Sequence, residues 1–193
     1  MNKGKKTRTH IIEKSSVLFN KTGYKMTSIS DIMDATGLKK GGIYNHFENK
    51  DTLAKESFSH SKNVLKEKYY EAVASKDTAY KQLDAFISIF CSLYENNIVV
   101  GGCPLMNAAI EADDSKVDFE DSIKDGFSGL LNLIQKIIEY GQKQKEIDND
   151  LDNQQVAIFI LSSLEGSLAL SRLFQDKSYL ESVIKQIRST LFR

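Results

Sequence analysis

The stretch Thr27–Leu53, TSISDIMDATGLKKGGIYNHFENKDTL, decides the reading of this chain. Ser28 followed three residues later by Asp31 is a capping-box-like helix start, with an acidic side chain in the first turn where the macrodipole favours it. Ile29, Ile32 and Met33 then form one apolar stripe. Gly37 ends that helix where a left-handed residue is wanted, and Leu38 packs as the pivot of the turn. A second helix, Lys40–Phe47, follows at once.

The second helix breaks ordinary helix rules. Lys39 and Lys40 stand at its N-terminus, the end that repels cations, so an anion is expected nearby. Gly41 and Gly42 each cost about 1 kcal/mol relative to Ala in a helix interior, and so short a helix is already marginal. Close approach of this backbone to DNA accounts for both glycines. With Ile43 and Phe47 turned inward at i, i+4 spacing, Tyr44, Asn45 and His46 remain to reach phosphates or base edges. Lys40 and Lys50 are read as phosphate contacts, Tyr44 as a backbone-positioning group, and Gly41, Asn45 and His46 as nearest the bases.

From about Lys5 to Leu53 the chain resembles the DNA-binding domain of TetR-family repressors. The resemblance is carried by Ile11, Ile12, Leu18 and Phe19 in the opening helix, the Gly23-Tyr24 turn, Thr27-Ser28-Ile29, the Ala35-Thr36-Gly37 corner, and Gly42-Ile43-Tyr44-Asn45-His46-Phe47 followed by Lys50 and Leu53. It implies DNA contacts at Thr27, Ser28, Lys39, Lys40, Gly41, Gly42, Tyr44, Asn45, His46 and Lys50. In that family the position of Asn45 is often a second aromatic and that of Gly42 often bulkier, so an operator sequence does not transfer.

Charge points the same way. Residues 1–50 hold ten Lys/Arg against four acids, a net of +6; by difference from 26 and 26, residues 51–193 hold 16 against 22, a net of −6. A basic head and an acidic body fit a polyanion partner for the head alone. The whole has 193 residues, 41% hydrophobic content and one proline, which bounds a helical chain with ample core. The Lys-rich start runs into amphipathic THIIEKSSVLF, not an apolar signal region, and Val156–Leu161, the longest strongly apolar run, is far short of a membrane span. Two cysteines suggest reduced thiols and a cytoplasmic location.

Beyond Leu53 the periodicity stays helical. A linking helix is expected over Lys50–Ser75, then one capped by Asp77 with Leu83, Phe86, Ile87, Phe90 and Tyr94 on one face. Gly101-Gly102 break the chain before a short helix over Pro104–Ala112. Ser115–Lys145 follows as a long helix, Asp152–Phe174 as one apolar on nearly every side, and a closing helix carries Tyr179, Leu180, Val183, Ile184, Ile187 and Leu191. The expected fold is all-α, about nine helices: a three-helix helix-turn-helix domain over 1–50 and a helical effector-binding and dimerisation domain over 51–193.

A helix apolar all round must be buried on two sides, either as the central helix of a monomer or against a second subunit. The resemblance implies the latter, a homodimer whose last two long helices pair with their symmetry mates. Ile134, Ile160, Ser163, Leu164, Ser167 and Leu168 are the expected interface, with Gly166 admitting a close partner backbone. Phe86, Phe90, Tyr94, Met106, Phe127 and Leu130 are either ordinary core or the lining of an adaptable apolar cavity; the resemblance implies a small-molecule effector held in that layer. Gly101-Gly102-Cys103-Pro104-Leu105-Met106-Asn107 resembles the Gly-Cys-Pro-Leu/Phe-x-Asn motif of one branch of that family, which adds Cys103 and Asn107 to the expected pocket. Cys103 is either a reactive thiol at a helix start or small packing at a tight junction.

Enzymatic alternatives are weak. His10, His46 and His60 are dispersed and give no metal spacing, and Asp148, Asp150 and Asp152 mimic a calcium loop but lack its glycine and its terminal Glu. Neither a phosphate-cradling loop nor a nucleophile elbow occurs. No cofactor, metal, membrane or catalytic role is expected. The remaining functional contest is between an effector-responsive repressor and a DNA-binding architectural protein without ligand control.

Overall fold

The computed structural model describes residues 3–114 and 119–192. Among these, the chain is all-helical: α1 (Lys3–Thr22), α2 (Ile29–Thr36), α3 (Lys40–Tyr44), α4 (Lys50–Ala74), α5 (Ala79–Tyr94), α6 (Pro104–Asp114), α7 (Glu120–Lys143), α8 (Asn153–Phe174) and α9 (Ser178–Leu191). Packing divides them into two compact units, residues 1–64 with 99–124 and residues 65–98 with 125–193.

In the first unit, the inward residues of four helices meet: Ile11 and Phe19 of α1, Ile32 of α2, Ile43 of α3, and Leu53 and Phe58 of α4 are fully or almost fully buried, with Phe47 just after α3. Tyr24 stacks on Phe19 at 5.2 Å between centroids, and Phe119 meets Tyr24 at 5.1 Å and Phe58 at 5.0 Å. Such ring pairs add about 0.5–1.5 kcal/mol each beyond their burial. They bring a residue from far along the chain into the core beneath the first three helices.

The α1–α2 turn is fixed by the same unit. Gly23 takes φ +96°, a conformation that favours glycine, and a Cβ there would lie 2.8 Å from Glu111 Oε1. The Glu111 carboxylate accepts from the N–H groups of Tyr24 at 2.9 Å and Lys25 at 3.0 Å. Burial first, then the Glu111 charge, pushes the Tyr24 hydroxyl well above the usual phenol range. Asn107 Nδ2 lies 3.0 Å from Asn20 O, Asn20 Oδ1 and Gly101 O, and Asn20 Nδ2 donates to Val100 O at 2.8 Å and Gly102 O at 3.1 Å. Gly101, at φ +106°, passes so close to Asn20 that a Cβ would meet its carbonyl oxygen at 2.7 Å.

The second unit packs α5 against α8, and α8 against α9. Tyr69 stacks on Phe86 at 4.6 Å beside Phe90, all three with almost no exposure. Ser171 Oγ accepts the Leu180 N–H at 3.0 Å, closing the hairpin between α8 and α9. By length and composition alone α8 could cross a membrane, more than the run Val156–Leu161 suggests. It is nonetheless built as a core helix: Ala157, Ile160, Leu161, Leu164, Leu168 and Ser171 are buried, and so is Glu165.

Boundaries differ from the sequence reading at two joints. The second helix of the motif stops at Tyr44, not Phe47: Asn45 is its C-cap, and the His46 N–H turns back to Ile43 O at 2.9 Å. Thr78, not Asp77, caps α5, accepting from the Lys81 N–H at 3.2 Å; Asp77 pairs with the Lys81 ammonium instead. Among the described residues α7 starts at Glu120. The expected start at Ser115 lies outside the described residues.

Candidate nucleic-acid interface

The motif is assembled by local chemistry at each joint. Ser28 Oγ accepts from the Asp31 N–H at 3.2 Å while the Asp31 carboxylate accepts from the Ser28 N–H at 2.7 Å, a complete capping box. Those bonds hold the Asp31 carboxyl below its ordinary value, the Ser28 N–H first and the Ser28 hydroxyl next, with Lys50 adding to them. Gly37 closes α2 in the left-handed region at φ 69°, its N–H bonded to Met33 O at 2.8 Å. Only Leu38 and Lys39 separate the two helices after that.

On α3 the inward Ile43 leaves an outer surface of Lys39, Lys40, Gly41, Tyr44 and Asn45, all exposed. No side chain caps its N-terminal end. Lys40 Nζ stands 5.9 Å from the Tyr44 ring centroid, so cation and ring share one ledge. A Cβ at Gly41 would meet nothing within 4 Å, and one at Gly42 only Leu38, at an ordinary 3.6 Å. Neither glycine has a positive φ. Nothing among the described residues therefore requires glycine at either position, although alanine would strengthen the helix.

The remaining sequence candidates fall differently. Thr27 is 1% exposed and donates its hydroxyl to Gly23 O at 2.6 Å, so its side chain holds the turn and is not free for a ligand. Ser28 is exposed, its hydroxyl engaged in the cap. His46 and Gly42 are half-buried. Lys50 donates to Lys25 O at 3.2 Å, bridging the start of α4 to the α1–α2 turn.

Two residues that sequence reasoning missed bind this surface to α1. The Arg8 guanidinium lies 4.8 Å over the Phe47 ring and pairs with Glu56 at 2.5 Å. His10 Nε2 lies 3.2 Å from Thr36 O, at the corner between α2 and α3. A basic residue at position 8 was visible in the sequence, but nothing there paired it with a ring some forty positions away.

The expected pocket residues divide between the two units. Cys103, Met106 and Asn107 belong to the first, where Cys103 is buried, Met106 half-buried, and the Asn107 amide is committed to Asn20 and Gly101 rather than to a cavity. In the second, Phe86 and Phe90 are core stacked about Tyr69, Leu130 is buried, and Tyr94 and Phe127 are half-buried. A groove of about 580 Å³ between α5 and α9 is lined by other residues, among them Tyr80, Ile87, Cys91, Arg188 and Phe192.

The expected interface residues differ in exposure. Ile134, Ile160, Leu164, Ser167 and Leu168 are buried within the protomer, although Ser167 also lines a surface depression beside Ser163. Ser163 is half-buried. The outward face of α8 carries Ile158, Phe159, Leu170, Leu173 and Phe174, all exposed, and continues to Tyr179 on α9, which stacks on Phe174 at 5.2 Å. Ser162, Ser163 and Gly166 floor a depression of about 500 Å³ on it.

Comparison with known proteins agrees with this geometry. Residues 11–56 match the family described as bacterial regulatory proteins, tetR family, and residues 79–187 match the tetracyclin repressor-like C-terminal domain. A TetR transcriptional regulator from Chloroflexus aurantiacus superposes with a TM-score of 0.91 at 33% identity, covering 98% of this chain and 96% of that one. A TetR-family regulator from Cytophaga hutchinsonii gives 0.87 at 28%, covering 98% and 95%. The repressor DhaR of Mycobacterium sp. (strain GP1) is 23% identical over 95% of this chain and 91% of its own. One family match spans more than half of this sequence, and the protein belongs to the TetR family of bacterial transcription regulators.

Proposed function

We propose that this protein is an effector-responsive repressor that binds a (pseudo)palindromic site in double-stranded DNA as a cytoplasmic homodimer. Residues 1–50 read the DNA, and residues 51–193 bind the effector and dimerise. The observation that carries the DNA reading is α3, whose Lys39, Lys40, Gly41, Tyr44 and Asn45 stand outward with open space over Gly41 that the chain does not use. Lys40, Lys39 and Lys50 serve phosphates, Tyr44 positions the backbone, and Gly41, Gly42, Asn45 and His46 lie nearest the bases. Ser28 meets the backbone at the start of α2.

Dimerisation is assigned to the exposed apolar face of α8 and α9, since two reading heads on a two-fold axis match half-sites about 34–36 Å apart. The effector is a small apolar, aromatic or electrophilic molecule held in the second unit, among Tyr94, Phe127 and their neighbours. It acts only by binding the DNA-incompetent arrangement more tightly than the competent one. The resemblance of Gly101–Asn107 to the Gly-Cys-Pro-Leu/Phe-x-Asn motif supports membership of that branch. No observation favours an architectural protein without ligand control.

The test is DNA binding by fluorescence anisotropy at matched salt. Lys40→Ala and Tyr44→Ala should each weaken binding, the former on every sequence and with a shallower salt dependence. Binding as tight as wild type in both would refute the interface, and a monomer by sedimentation at micromolar concentration would refute the dimer. A melting-shift screen of apolar and aromatic compounds, with hits tested for release of DNA, identifies the effector class.

A further inference from the structure

The first two turns of α1 are a cationic feature that the recognition helix does not explain. Lys3, Lys5 and Lys6 are exposed, Arg8 is half-buried, and Ile11 is the first residue of α1 buried in the core. No acidic residue stands in the first turn. Cations collected at the N-terminal end of a helix oppose its dipole and one another, an arrangement that an adjacent polyanion relieves.

Geometry ties this end to α3. Lys5 precedes Arg8 by three residues and so shares its face, and Arg8 lies over Phe47, just beyond the end of α3. Lys6 precedes His10 by four residues and shares its face, and His10 touches Thr36 O, three residues before Lys39. At about 1.5 Å per residue, Lys5 and Lys6 stand roughly one helical turn from those two contacts. The lysines therefore extend the cationic ledge of Lys39 and Lys40 along a second helix of the same unit.

We propose that Lys3, Lys5 and Lys6 form a second phosphate-contacting element, so that each protomer holds DNA by the end of α1 as well as by α3. The inference rests on the DNA-binding reading above and widens the footprint on each half-site. Contacts of this kind are independent of base sequence and governed by counterion release.

The experiment needs no operator. Wild type, the triple variant Lys3→Gln, Lys5→Gln, Lys6→Gln, and a control triple Lys66→Gln, Lys76→Gln, Lys143→Gln are titrated onto a random-sequence duplex of about 30 base pairs across a range of monovalent salt. The control removes the same charge from exposed lysines of the other unit. Circular dichroism and melting establish that all three are folded. The α1 triple should lower the slope of log K against log salt by about 0.9 for each phosphate it no longer neutralises, and weaken binding at 0.1 M salt about eightfold per phosphate. A triple with arginine at the same three positions should keep the wild-type slope. Equal slopes and affinities for wild type and the α1 triple would overturn the proposal, as would an equal loss in the control, which would make net charge the cause. Wild type that showed no salt-dependent binding would overturn the DNA-binding reading itself.

Discussion

Gly41 offers a test in which stability and function move in opposite directions. It lies inside α3 without a positive φ, and a Cβ built on it meets nothing within 4 Å. Gly41→Ala should therefore stabilise the free protein by up to about 1 kcal/mol, the helix-propensity difference, or about 2–4 °C in melting temperature for a chain of this size. If the glycine exists for backbone approach to DNA, the same methyl intrudes into a packed interface. Overpacking of that kind costs about 1–3 kcal/mol, which is about 5- to 150-fold in Kd. Melting without DNA and anisotropy with DNA, at one salt concentration, measure both. Gly42→Ala is the internal comparison, because its Cβ would rest against Leu38 at 3.6 Å and point less freely outward. A Gly41→Ala protein that melts higher yet binds DNA as wild type does would refute close approach at this residue. One that melts several degrees lower would refute the helical placement.

Thr27→Val should cost about 1 kcal/mol, from the lost hydroxyl bond to Gly23 O. Well below its melting temperature it should bind DNA as wild type does; a direct loss of affinity would return Thr27 to the interface. Leu173→Arg, on the outward face of α8, should give a folded monomer by sedimentation, whereas Ile160→Ala, at a buried position, should stay dimeric and lose about 2–5 kcal/mol of stability. The reverse pattern would exchange the two faces of α8. With a small maleimide, half-buried Cys91, which lines the α5–α9 groove, should be modified before Cys103, which is 3% exposed, and loss of DNA binding should follow Cys103 alone. Identical inactivation in wild type and Cys103→Ser would leave Cys103 as packing.

What the sequence showed was whatever depends on neighbours a few positions apart. Ser28 with Asp31, Gly37, Gly101-Gly102 and the inward pair Ile43 and Phe47 carry their reasons within one turn of chain, and the structure realises each of them. The end of α3 was not legible, because Asn45 and His46 are no helix breakers and Phe47 is buried as the longer helix would also have it. The faces of α8 were ambiguous for another reason. Leu164 and Leu170 are the same residue type at nearby positions, one buried and the other left outside, and periodicity cannot rank two apolar faces. Asn107 was placed by resemblance near a ligand, when its amide is engaged with a residue 87 positions earlier.

That last contact shows how the middle of the chain can govern its beginning. The α1–α2 turn sets the approach of α2 and α3, and it is held from α6 by one carboxylate accepting two backbone N–H groups and by one amide shared with Asn20. Hydrogen bonds to a charged group contribute about 1.5–3 kcal/mol each, so the two that Glu111 accepts amount to several kcal/mol. Moving a two-state equilibrium from 1:99 to 99:1 takes about 5.5 kcal/mol. An effector that displaced α6 would release bonds of just that order, without having to touch α3. An effector that left Glu111 and Asn107 in place would have to act on DNA binding through the spacing of the two protomers alone. The energetic scale of the α6 contacts thus separates a route of release inside the first unit from one that acts through the spacing of the protomers in the proposed dimer.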